Sequence, residues 1–198
     1  EVAPGADLVQ RITTENSDLF LDAPVYGSQE KVEHDPFQLF DNPIGPYAKG
    51  ADLGFTMEAW LAGTGRGTYT VGSQQAEIDL TFENLVPNGV YTIWCAHIFA
   101  PPEFQIVDEP CGNADGSQNT VVTDGAGNAE FNLTLKPLPD TSDKVTRVIA
   151  AAYHSDGKTY GSYPGDFGLN SHVQILAIIP SPEDTAWRTV ENTALAQR

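Results

Sequence analysis

The firmest pattern in the chain is an alternation of apolar and polar positions with a period of two. Over residues 76–83, Ile78, Leu80 and Phe82 alternate with Glu77, Asp79, Thr81 and Glu83, which predicts a strand with one face on a core and one in water. Residues 130–136 repeat the pattern, with Phe131, Leu133 and Leu135 facing inward. The segment 119–123 precedes them and joins through Asp124-Gly-Ala-Gly-Asn128, residues that tolerate the positive φ of a tight hairpin. Three other segments, 91–99, 145–153 and 173–179, are apolar on both faces. Strands of that kind are covered on both faces, so an arm, a tail or a partner chain is expected to lie over a sheet.

The flanks read differently. Residues 1–50 are punctuated by Pro and Asp and hold short apolar patches, Leu19-Phe20-Leu21, Val25-Tyr26 and Pro36-Phe37-Gln38-Leu39-Phe40, without a sustained period. They read as an extended arm with aromatic anchors. At the other end Ser181 is a suitable N-cap, Pro182 suits a first helical position, and Glu183 and Asp184 would favour the helix dipole. Trp187, Val190, Ala194 and Leu195 would then dock that helix. The expected organisation is an arm over 1–50, an all-β antiparallel sandwich over 51–180, immunoglobulin-like or jelly-roll-like, and a short C-terminal helix and tail over 181–198.

Between two of the predicted strands lies Leu85-Val-Pro87-Asn-Gly-Val-Tyr91. This resembles the L-x-P-x-x-x-Y corner of fibronectin type III and related immunoglobulin-like sandwiches, in which the Tyr hydroxyl bonds back to the crossover backbone. The resemblance spans residues 76–99 and implies a structural role for Tyr91. The chain departs from the family by continuing well past the strand where a fibronectin type III domain would finish, and by placing Cys95 four residues after the Tyr rather than two. Only the sandwich architecture is carried over.

Composition narrows the partners. The 27 acidic side chains against 10 basic give a formal charge of −17, which excludes a nucleic-acid footprint and argues against docking on an anionic membrane. Membrane insertion is not expected, because no apolar run approaches the roughly 18 residues a spanning helix needs. The opening EVAPGADL lacks the plan of a signal peptide, as a chain already cleaved would. Cys95 and Cys111 are separated by a Pro-rich stretch that can fold back and bring them together; the alternative is two reduced, buried thiols. Asn132-Leu-Thr134 is a glycosylation acceptor pattern. Together these point to a secreted, periplasmic or cell-surface protein, since disulfides persist in oxidising compartments.

The candidate chemistry is sparse. His154 ends one predicted strand and His172 begins the next, so a loop between them could bring the imidazoles together. With His97 they would make a three-histidine site suited to copper or zinc. Cys95-Ala-His97 is not a blue-copper arrangement, because the sole Met57 lies upstream. The loop between the histidines holds Asp156, Tyr160, Tyr163 and Asp166 among four glycines. Rings beside carboxylates suit a carbohydrate or peptide ligand, or else order the loop as its own lid. Residues 113–119 place oxygen-bearing side chains at alternate positions but lack the Gly and Glu of an EF-hand, so an Asx-rich turn is expected. No nucleophile elbow, zincin or phosphate-loop pattern occurs, and nothing points to an enzyme. The leading expectation is an extracytoplasmic binding or structural module that self-associates or meets another chain through residues 1–50. The second is a metal-binding protein or metalloenzyme.

Overall fold

The computed structural model describes residues 16–32, 47–99, 105–138, 145–179 and 188–189. Among these are eleven strands and a single short α-helix. The strands are β1 (Pro24–Ser28), β2 (Lys49–Thr56), β3 (Thr64–Val71), β4 (Ala76–Glu83), β5 (Val90–Phe99), β6 (Gln105–Pro110), β7 (Thr120–Val122), β8 (Ala129–Leu135), β9 (Val145–His154), β10 (Ser171–Ile179) and β11 (Arg188–Thr189), and the helix α1 is Met57–Leu61. They form a two-stranded ribbon β1-β2, a three-stranded sheet β3-β4-β8 and a six-stranded sheet β11-β10-β9-β5-β6, with β7 sharing the β6 edge of β5. Every strand pairing is antiparallel.

The two larger sheets pack face to face as a sandwich. Ile78, Leu80 and Phe82 of β4 and Phe131 of β8 meet Tyr91, Ile93 and Cys95 of β5, Ile149 and Ala151 of β9, and Ile175 and Ile179 of β10 in one core. The period-two reading of β4 holds at every position, because Glu77 and Asp79 are exposed while Ile78 is wholly buried. Cys95 and Cys111 are bonded inside this core. The turn 124–128 is tight, with Asp124 N–H donating to the Asn128 carbonyl at 2.9 Å and Gly127 at φ +80°. It is not the loop of a paired hairpin, because β7 pairs with β5 and β8 with β4. The turn therefore carries the chain from one sheet to the other.

Gln174 is an extra residue in β10: Val173 pairs with Ala152 and Ile175 with Ala151. The side chains of Gln174 and Ile175 both face the interior at this bulge, and Leu176 and Ile178 point outward again.

The arm is less extended than its composition suggests. Residues 24–28 pair with β2, and Leu19 is 77% exposed, so it anchors nothing in the core. The patch 36–40 lies outside the described residues. So does the expected C-terminal helix, apart from Arg188 and Thr189, which pair with Ile178 and Ala177 as a strand. Among the described residues no helix is long and apolar enough to cross a membrane.

Candidate functional site

The register of β5, β9 and β10 decides where the histidines go. His97 pairs with Arg147 near one end of the ten-residue strand β9, and His154 closes the other end. At about 3.3 Å per residue they are about 20 Å or more apart. His172 pairs with Tyr153, one position out of step with His154, which pairs with Ser171. Side chains alternate across a strand, so His154 points to the outer face of the sheet and His172 to the inner. The three-histidine site expected from the sequence is not assembled, and among the described residues no three His, Cys, Asp or Glu side chains converge on a metal position.

Each imidazole has its own surroundings. His97 is buried, and burial pulls its pKa below the ordinary value, with Glu109 opposing and Arg147 adding to the shift. His154 is 1% exposed. Its Nε2 lies 2.7 Å from Thr92 Oγ1, which also accepts from Trp94 Nε1 at 2.7 Å. Burial again favours the neutral ring, against a pull from Asp156. His172 Nε2 lies 3.0 Å from Ser155 Oγ, and its ring is 6.1 Å from that of Tyr153. Burial, reinforced by His154 and partly offset by Asp156, brings its pKa down to about 4. All three rings are favoured in the neutral form; His154 and His172 are hydrogen-bonded through Nε2, whereas His97 Nε2 and His154 Nδ1 are buried with no partner among the described residues.

The loop 155–170 is ordered by the residues expected to bind a ligand. The Tyr160 hydroxyl donates to the Asp156 carboxylate and accepts from Asn170 Nδ2 at 2.6 Å. The bond to Asp156 pushes the Tyr160 phenol up to about 12. Tyr163 donates to Asp166 at 3.4 Å, and the Asp166 carbonyl accepts from the backbone N–H groups of Leu169, Asn170 and Ser171. Asp156, Tyr160, Tyr163 and Asp166 thus meet one another first. The arm adds a clamp: Ser28 N–H donates to the Gly168 carbonyl, and Val32 N–H to that of Phe167 at 2.7 Å.

Residues 113–119 form the expected Asx turn, with Asp115 accepting from Ser117 N–H at 2.9 Å. Gly116 lies against this loop so closely that a Cβ there would come within 2.1 Å of the Gly161 carbonyl oxygen.

Beneath the loop, the outer face of the six-stranded sheet holds a trough of about 120 Å³. Trp94 and Ala150 form part of its floor, Phe167 and Pro164 overhang it, Val173 and Leu176 form one wall, and among the described residues Asp108 is the sole charged one lining it. The trough was only half legible in the sequence. Apolar residues on both faces of 91–99, 145–153 and 173–179 predict a covered outer face, but Phe167 and Pro164 carry no signal that they overhang it.

The Tyr91 hydroxyl accepts from Val86 N–H at 2.9 Å and donates to Gln174 Oε1, while Gln174 Nε2 donates to the Trp60 carbonyl at 2.8 Å. The first bond is the one the L-x-P-x-x-x-Y resemblance implies. No protein-family model, curated protein or solved structure matches the chain.

Proposed function

We propose that this protein is an extracytoplasmic binding module that takes a small apolar ligand in the trough beneath the loop 155–170. The observation that carries this reading is the trough itself, an apolar concavity on the outward side of a sheet, already formed beneath a hydrogen-bonded loop. Ligand sites are commonly preformed, concave and mostly apolar. A volume of about 120 Å³ is close to the roughly 150 Å³ of an engineered apolar cavity that stays dry and binds benzene. The disulfide supports an oxidising compartment. The bond from Val86 to Tyr91 supports kinship with immunoglobulin-like sandwiches.

A metal-based function loses its motivation with the separation of His97, His154 and His172. Assembly through the arm loses part of its own, because residues 24–28 and Val32 bond within the chain.

Titration with toluene, followed by proton NMR of the methyl groups of Val173 and Leu176, tests the reading. Saturable shifts are expected in the wild-type chain and none in a variant whose trough is filled by Ala150→Phe. Unshifted wild-type resonances up to the solubility limit of toluene overturn it.

A further inference from the structure

The outer face of the other large sheet has the opposite character. On β8, Glu130, Asn132 and Thr134 are exposed, and they face outward while Phe131 enters the core. Across the ladder, Asn132 pairs with Asp79 and Thr134 with Glu77, both exposed. Asn132-Leu133-Thr134 is the sole Asn-x-Ser/Thr tripeptide in the 198 residues. The acceptor reaction needs the amide and the hydroxyl two residues later, and the folded chain must then leave room for a bulky sugar. A strand meets the second need when both residues lie on its solvent side, as the period of two arranges here. The buried Cys95–Cys111 bond fits an oxidising compartment, a class that includes the endoplasmic reticulum lumen where such transfer occurs.

We propose that Asn132 is an N-glycosylation site. The donor is a lipid-linked oligosaccharide delivered by an oligosaccharyltransferase. Asn132 Nδ2 bonds to C1 of the first sugar, the C1–O bond to the lipid pyrophosphate breaks, the lipid pyrophosphate leaves, and the amide gives up one proton. The sugar stands on β8, which among the described residues is an edge strand of the three-stranded sheet. Exposed strand edges recruit other strands, and natural proteins block them; a glycan midway along β8 is such a block. It also lies on the sheet opposite the trough, so ligand binding there does not depend on it.

The test is intact-mass measurement, before and after peptide-N-glycosidase, of the full chain secreted by its own cells and, in parallel, through a eukaryotic secretory pathway. Expected are a mass above the 21.3 kDa of the polypeptide, loss of the excess on treatment, and conversion of Asn132 to Asp in the peptide map. Asn132→Gln and Thr134→Ala each abolish the excess, whereas Thr134→Ser retains it. Because both positions are exposed, these variants fold, and their circular dichroism checks that. Unmodified Asn132 from both sources overturns the proposal, as does sugar that persists in Asn132→Gln.

Discussion

Tyr91 links three parts of the molecule through one hydroxyl. It receives the N–H of Val86 in the crossover and gives its proton to Gln174, which in turn holds the Trp60 carbonyl after β2. Tyr91→Phe keeps the ring in the core but strands a backbone N–H and a buried amide oxygen. The expected loss is about 1–3 kcal/mol of unfolding free energy in urea, and an unchanged midpoint contradicts the linkage. His172 contributes to acid behaviour at the same scale, in the same direction as His97 and His154. Its pKa falls from 6.5 to about 4 on folding, so below pH 6.5 the unfolded chain takes up a proton that the folded chain refuses. The contribution of His172 is therefore fully present above about pH 6.5 and is lost as the pH falls through about 4. At about 1.4 kcal/mol per pH unit the fall is about 3 kcal/mol. His172→Gln should make that fall shallower in urea titrations at pH 7 and 4.5, and an equally steep fall in the variant removes His172 as its source.

At the level of elements, the disulfide joins β5 to the residue just beyond β6, closing a loop with a sequence separation of 16. Replacing both cysteines with Ala should cost about 3 kcal/mol by the chain-entropy estimate, read from thermal or urea unfolding. Strands β4, β5, β8, β9 and β10 were legible because their inward positions are large and apolar and their outward positions either alternate with them or carry apolar residues too. Strands β1, β2, β3 and β6 were not. In β3, Gly65 and Gly67 stand where a core-facing strand would carry bulk, because Phe82 and Leu80 fill the space above them. In β2, Lys49 to Phe55 shows no clean alternation because the ribbon leaves most of its residues half-exposed or exposed. The candidate site was legible only as a set of residue types. His154 and His172 do lie at the base of one loop, yet the offset of one residue between β9 and β10, invisible in a single sequence, sends them to opposite faces.

For the whole molecule, the −17 charge resides in part on solvent-facing strand positions such as Glu77, Asp79 and Glu130. Few cations are present to relieve it, and Arg66 to Glu83 at 2.9 Å is an ion pair between two exposed side chains, which contributes little. Self-repulsion therefore opposes the compact state and is screened by salt. The melting temperature should rise with NaCl, by about 2–4 °C for each kcal/mol of repulsion removed, and a flat response would show that the charges are too dispersed to matter.

The extra residue at Gln174 shifts the in-and-out count of β10 by one along the sequence without shifting the ladder. Val173 pairs with Ala152 and Ile175 with the adjacent Ala151, as they would with nothing between them. A deletion at 174 therefore closes the bulge and leaves Leu176 and Ile178 on the outer surface and Ala177 and Ile179 in the interior. What disappears is the amide that ties the Tyr91 hydroxyl to the Trp60 carbonyl. Sequences descended from this one should thus be able to shorten β10 at this position and keep the trough wall, at the expense of the link between the sheet and the residues after β2.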